Sequence, residues 1–151
     1  KGYSTRYVNI GRNVNIEPRM TFDSSPMYII CVGFQQNDWV FFKQVIFAID
    51  DTRDTWDLDY FSRGSDVIFG GGIAEWYLVA HSELLAGYHS QAKDMAKLMD
   101  SIIKSNNATI RFQGDGYRDH TITNKEKQTI KDLWTLYNIL EENPSLFELL
   151  K

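Results

Sequence analysis

Acidic side chains are concentrated in residues 50–59, where five aspartates surround a single arginine. The net charge of this segment alone equals the formal net charge of -4 of the whole chain. Crowded carboxylates repel one another, and a bound hard cation such as calcium relieves that repulsion. The five candidate binding residues are Asp50, Asp51, Asp54, Asp57 and Asp59, of which Asp51, Asp54 and Asp57 are the candidate calcium ligands.

Two other interpretations of the acidic segment stay open. It lacks the glycine and the closing glutamate of an EF-hand loop, so its aspartates also fit a solvated turn that uses them for local hydrogen bonds. A small hydrolase with clustered aspartates is the further alternative. It requires two carboxyl groups that face each other across a cleft.

Two tryptophans lie beside acidic or amide residues near predicted strand ends. Aromatic residues make up 14% of the chain, and most of them must fill the core. Trp39 and Trp56 are the exceptions, because an exposed indole next to Asp, Asn or Gln suits the hydroxyl groups of a sugar. The sequence therefore offers both residues as binding candidates of a carbohydrate-binding module.

The remaining reactive residue types show no catalytic spacing. The histidines at 81, 89 and 120 have no zinc-ligand pattern, and no Gly-x-Ser-x-Gly turn accompanies the neighbouring serines. Cys31 lies in an apolar run and is expected to be a buried, inert thiol. No lysine followed by serine or threonine stands after the glycines at 70–72, so a nucleotide loop is not indicated. We expect no cofactor apart from the calcium considered above.

Length and composition indicate a single domain spanning residues 1–151. The 151 residues, 43% hydrophobic and 24% charged, suffice for one core. The negative net charge argues against nucleic-acid binding, and no apolar run approaches the ~20 residues of a membrane helix. Because the chain begins at Lys1 without methionine, we expect it to have been trimmed from a longer precursor or multidomain protein.

The first half of the chain is typical of short strands separated by turns. Residues 35–38 are predicted as the tip of a hairpin. The segment after them is predicted as a central strand covered on both faces, because both of its alternating faces carry apolar residues. The predicted strands are Thr5–Ile10, Val14–Phe22, Met27–Phe34, Trp39–Asp50, Thr55–Phe61, Ser65–Phe69 and Ala74–Ala80.

The second half changes to a helical period. A stripe of apolar residues predicts a helix near residues 90–105, and a short strand is predicted at Ala108–Gln113. Thr123 and Glu126 form a capping-box pattern that opens a second helix, which runs to about residue 142. The predicted fold class is α+β: a mostly antiparallel sheet or two-sheet sandwich in the N-terminal half, with two amphipathic helices in the C-terminal half.

The layout of an apolar strand, an Asp-rich turn and the segment Ile110–Gly114 before a capped helix resembles small bacterial extracytoplasmic domains. The lack of a convergent catalytic set and the strand-and-turn composition favour a non-catalytic binding or interaction domain outside the cytoplasm, whether secreted, periplasmic or surface-anchored. The expected partner is a protein or a surface polymer. The carbohydrate-binding module and the hydrolase are the alternatives.

Overall fold

The computed structural model describes residues 15–22, 25–57, 63–68, 72–82 and 90–150. The predicted strand Thr5–Ile10 lies outside these residues. The elements are β1 (Ile16–Phe22), β2 (Pro26–Gln36), β3 (Gln44–Ile49), β4 (Thr52–Asp57), β5 (Arg63–Ile68), β6 (Gly72–His81), α1 (Ser90–Lys104), β7 (Ala108–Gln113), β8 (Tyr117–Thr121), α2 (Asn124–Glu142) and α3 (Pro144–Leu150). The α+β class is confirmed.

The strands form two antiparallel four-stranded sheets. The first sheet has the order β1-β2-β6-β5 and the second has the order β4-β3-β7-β8. The hairpin predicted at residues 35–38 is wrong, because β2 pairs with β1 and β6 while β3 belongs to the other sheet. The chain between β2 and β3, residues 37–43, therefore crosses from one sheet to the other.

One core joins the inner faces of both sheets and the helices. Along β2, Phe34 contacts Phe112 of the second sheet at a centroid distance of 5.0 Å, whereas Tyr28 contacts Trp134 of α2 at 4.9 Å. The second sheet thus covers one end of the first sheet, and the helices cover the other end. Because apolar burial is the main stabilising term in folding, this shared core holds the two sheets and the helices together.

The strand covered on both faces is β2, not the predicted segment Trp39–Asp50. Every residue from Tyr28 to Phe34 is buried, and Ile29 and Cys31 form a second apolar cluster with Leu78 on the other face of the sheet. In contrast, β3 begins only at Gln44 and alternates between buried and half-buried residues. It is a half-buried strand with one face on the core.

Helix α2 begins as its capping box predicts. The Thr123 hydroxyl accepts a hydrogen bond from the Glu126 amide at 3.2 Å, and the Glu126 carboxyl accepts one from the Thr123 amide at 2.7 Å. These bonds satisfy two of the backbone groups that a helix start leaves unpaired. The buried stripe of the helix is Ile130, Trp134, Tyr137 and Leu140.

Candidate binding surface

The connection between β2 and β3 presents two large aromatic rings to solvent. Within residues 37–43, Val40 and Phe42 are buried in the core, whereas Trp39 and Phe41 are 37% and 47% exposed. The exposed rings stack in parallel, with centroids 4.9 Å apart and an interplanar angle of 4°. We call this pair, Trp39 and Phe41, the aromatic ledge.

The ledge is held in place by Glu75, a buried acidic residue of β6. Its carboxyl group accepts hydrogen bonds from the backbone amides of Val40 at 2.8 Å and Phe42 at 3.3 Å. Glu75 is only 3% exposed and lies on the same face of β6 as Tyr77, which belongs to the core. A carboxyl group aimed from the core thus provides acceptors for amides that have no sheet partner at this point.

The backbone of the ledge adopts a strained conformation. Phe41 has a φ of 49°, in the left-handed region that a bulky residue seldom occupies. The turn after β7 makes room for it, since a Cβ atom at Gly114 would collide with the carbonyl oxygens of Val40 and Phe41. The Asp115 amide also donates to the Val40 carbonyl at 2.9 Å. The surrounding contacts therefore fix a conformation that the chain would not choose alone.

Trp56 does not share this exposure. It is 5% exposed and packs edge-on against Phe47 at a centroid distance of 4.8 Å. Its register partner is Val45, which also faces the core. The expectation that Trp56 offers a surface ring is therefore wrong, and Trp39 alone of the two tryptophans is available to a ligand.

The acidic segment begins with a turn in which the Asp50 carboxyl group binds two backbone amides. Asp50 has a φ of 47°, which aspartate tolerates better than most residues. Its carboxyl group accepts hydrogen bonds from the amides of Asn106 and Asn107 at 2.9–3.3 Å. Asp51 follows in the same turn and is exposed. The first aspartate thus ties the β3–β4 turn to the segment that follows α1.

The other aspartates of the segment that the structure describes, Asp54 and Asp57, do not converge. Asp54 and Asp57 are three positions apart on β4, and therefore point to opposite faces of the sheet. The Asp57 carboxyl accepts a hydrogen bond from the side-chain amide of Gln44 at 2.7 Å. Asp59 lies outside the described residues. Within the part of the chain that the structure describes, no group of three or more His, Cys, Asp or Glu side chains could hold a metal ion.

The remaining titratable groups of interest are packed into the body of the domain. Cys31 is buried, and desolvation raises the pKa of its thiol to about 12. His81 lies against the rings of Trp134 and Tyr137, each at a centroid distance of 5.5 Å. His120 contacts the Glu126 carboxyl at 2.9 Å, so this histidine braces the start of α2.

A charged pair stands on the face of the second sheet that points away from the core. The Arg111 guanidinium donates two hydrogen bonds to the Asp119 carboxylate, both 2.7 Å long, and lies 4.3 Å from the centre of the exposed Tyr117 ring. The hydrogen bond from Arg111 lowers the pKa of the Asp119 carboxyl below its ordinary value. A planar donor and a carboxylate are thus fixed side by side at the surface.

Comparison with known proteins adds no relative to this description. No protein-family model matches the chain, and neither the curated proteins nor the solved structures include a significant match. Among the helices of the described residues, none has the length and the apolar character to cross a membrane.

Proposed function

We propose that the chain is a non-catalytic binding or interaction domain of a bacterial extracytoplasmic protein, and that the aromatic ledge is its contact surface for a protein or a surface polymer. The observation that carries the proposal is the exposure of Trp39 and Phe41 on a backbone that buried groups hold rigid. The bacterial and extracytoplasmic assignment rests on the resemblance of the layout described above.

Large aromatic side chains supply much of the binding energy at interfaces. Trp and Tyr are enriched among residues whose truncation weakens binding most, and aromatic rings bury a large area on contact. A ring that is already ordered loses little conformational entropy when a partner arrives. The Glu75 anchor and the Gly114 contact hold the backbone of the ledge, and the two rings stack on each other, which favours a preformed contact surface.

The non-catalytic character is supported by what the reactive residue types contact. Cys31 is a buried thiol with a raised pKa, His120 bonds a helix-capping glutamate and Asp50 caps backbone amides. Asp54 and Asp57 point to opposite faces of β4, so these two do not form the facing carboxylate pair that a hydrolase with clustered aspartates requires.

A carbohydrate-binding module is the second candidate function, and the exposed ring of Trp39 favours it. The flat indole is stacked against Phe41 on one side, which holds it in a fixed orientation. A pyranose ring stacks its C–H face on such a surface, while nearby amide and carboxyl groups bind its hydroxyls. The protein-binding and sugar-binding versions of the function use the same ledge and differ in the ligand.

Binding of the fluorescently labelled domain to a glycan array and to purified bacterial cell envelopes tests the function. We compare the natural chain with Trp39→Ala and Phe41→Ala, and use Lys43→Ala as the matched control, because Lys43 is an exposed, non-aromatic residue of the same connection. We expect each aromatic variant to bind at least tenfold more weakly and the control to bind normally. Protease treatment of the envelopes distinguishes a protein partner from a polymer. Binding that all three variants retain, or no binding to any probe, would refute the proposal.

A further inference from the structure

A concave surface lies on the outer face of the second sheet, opposite the core. In one cross-strand row, Ala48 of β3 lies between Arg53 of β4 and Thr109 of β7. In the next row on the same face, Arg111 of β7 lies between Ile46 of β3 and Asp119 of β8. Together with Gln113 these side chains line a cavity of about 290 Å³, which we call the trough. Neither residue of the aromatic ledge lines it.

The shape of the trough follows from the sizes of its side chains. Ala48 has a short side chain, and the long side chains of Arg53 and Arg111 lie on the strands to either side of it. The surface is therefore concave at Ala48. Ala48 and Ile46 are half-buried and apolar, and they form the floor. An apolar floor between polar walls suits a ligand that has an apolar face and a polar rim.

One wall of the trough is preorganised. Arg111 and Asp119 are joined by two parallel hydrogen bonds of 2.7 Å, and Tyr117 packs against the guanidinium. A donor and an acceptor therefore stand next to each other in a fixed geometry, which matches the alternating donor and acceptor character of neighbouring hydroxyl groups. The Gln113 amide and the Thr109 hydroxyl add further donors and acceptors to the lining.

The other wall carries the positive charge of Arg53, which is exposed. Among the described residues, no carboxylate forms an ion pair with it. Because Asp119 already neutralises Arg111, the charged groups of the lining leave one net positive charge, that of Arg53, on a chain whose overall charge is -4. A guanidinium group can hold a carboxylate through two parallel hydrogen bonds, because its donors match the carboxylate geometry.

We propose that the trough binds an acidic saccharide, with one sugar ring on the floor formed by Ala48 and Ile46, its carboxylate on Arg53 and its hydroxyls on the Arg111–Asp119 pair. The cavity volume is at the lower end of small-molecule sites, and therefore fits a single ring better than a folded peptide segment. The site goes beyond the function of the aromatic ledge, and it stands or falls independently of what the ledge binds.

Amide chemical shifts of the isotope-labelled domain, titrated with trigalacturonate, test the proposal. Maltotriose is the neutral saccharide probe, sodium sulfate the simple anion and hexaglutamate the acidic peptide. We expect trigalacturonate to shift the amides of Arg53, Thr109 and Arg111 in a saturable way, with an affinity at least tenfold higher than that of each other probe. The affinity should fall as ionic strength rises, because the carboxylate–guanidinium contact is exposed to solvent.

Variants at Arg53 give the second arm of the experiment. Arg53→Gln removes the charge at an exposed position and should weaken trigalacturonate binding at least tenfold, whereas Arg53→Lys should retain part of it. Lys131→Gln is the matched control, because it removes an exposed cation from α2 and should leave the affinity unchanged. Equal binding of sulfate or hexaglutamate, shifts confined to Trp39 and Phe41, or full affinity in Arg53→Gln would each overturn the proposal.

Discussion

Substitution of Glu75 by alanine should release the aromatic ledge. The change removes the acceptors of the Val40 and Phe42 amides, which donate at 2.8 and 3.3 Å. A buried donor left unsatisfied costs about 1–3 kcal/mol, so two of them reduce the free energy of unfolding by about 2–6 kcal/mol if the backbone stays in place. A loss of about 3 kcal/mol lowers the Tm of a domain of this size by roughly 6–12 °C. If the connection instead moves to reach water, the loss is smaller and the ledge becomes mobile.

Urea unfolding and amide hydrogen exchange together measure both outcomes. We expect Glu75→Ala to lower the free energy of unfolding, and the exchange protection of the Val40 amide to fall. Glu75→Gln serves as the matched variant, because its side-chain oxygen can still accept one of the two hydrogen bonds, and it should lose about half as much. If the alanine variant unfolds within about 0.5 kcal/mol of the natural chain with Val40 equally protected, Glu75 does not anchor the ledge.

Three further changes test other parts of the structure. Burial raises the pKa of the Cys31 thiol to about 12, so the free energy of unfolding should be constant below the unfolded pKa of about 8.5 and should fall as pH rises from there, by at most about 1.4 kcal/mol per pH unit. Urea unfolding between pH 7 and 9.5 measures this, and Cys31→Ala should remove most of the dependence. Arg111 lowers the pKa of Asp119, so the pair stabilises the fold above the unfolded pKa of about 3.9, and this stabilisation is lost as pH falls through the folded pKa. Carboxyl NMR should show a higher pKa of Asp119 in Arg111→Gln, and an unchanged pKa would contradict the contact. Thr123→Ala removes the cap of α2 and should cost about 1 kcal/mol in urea unfolding, whereas Thr123→Ser should cost little.

The elements that the sequence predicts well are those with local signals. The capping box of Thr123 and Glu126 and the apolar stripe after it define α2 without reference to the rest of the chain. The predicted strand Ala108–Gln113 is likewise confirmed, and its residues alternate between buried positions and half-buried or exposed ones. In each case the information lies within a few residues of the element, and the fold class follows from the succession of such elements.

The pairing of strands could not be predicted in the same way. Residues 35–38 have the composition of a hairpin tip, yet β2 continues to Gln36 and the chain after it crosses to the second sheet. A turn-forming composition specifies a change of direction, and the identity of the next partner depends on contacts far away in sequence. Strand β8 was missed for another reason: Tyr117–Thr121 is a polar edge strand without a buried residue, so it carries no hydrophobic pattern.

The two tryptophans show that the local sequence does not determine which residues of the candidate site are exposed. Both stand beside polar residues, but Trp56 is aligned with Val45 and faces the core, whereas Trp39 precedes the strand and faces solvent. The register between β3 and β4 determines that Trp56 faces the core, and this register depends on both strands together. Glu75 carried a usable signal that the sequence analysis missed. An isolated acidic residue within the apolar run Gly72–His81 indicates a buried carboxyl group, which requires hydrogen-bond donors from elsewhere.

The aromatic ledge and the trough share no lining residue, yet the same hairpin supports both. The turn between β7 and β8 contributes Gly114, against which the backbone of Phe41 packs, and leads directly to Tyr117, which packs on Arg111 of the trough wall. A side chain at position 114 would displace the carbonyl oxygens of Val40 and Phe41, and the hairpin or the ledge would have to move. Glu75 holds the ledge from the core side, so a shift of the hairpin is one way to relieve the collision, and it would carry Tyr117 with it. Both surfaces therefore depend on the absence of a Cβ atom at this position, whereas only the ledge depends on Glu75.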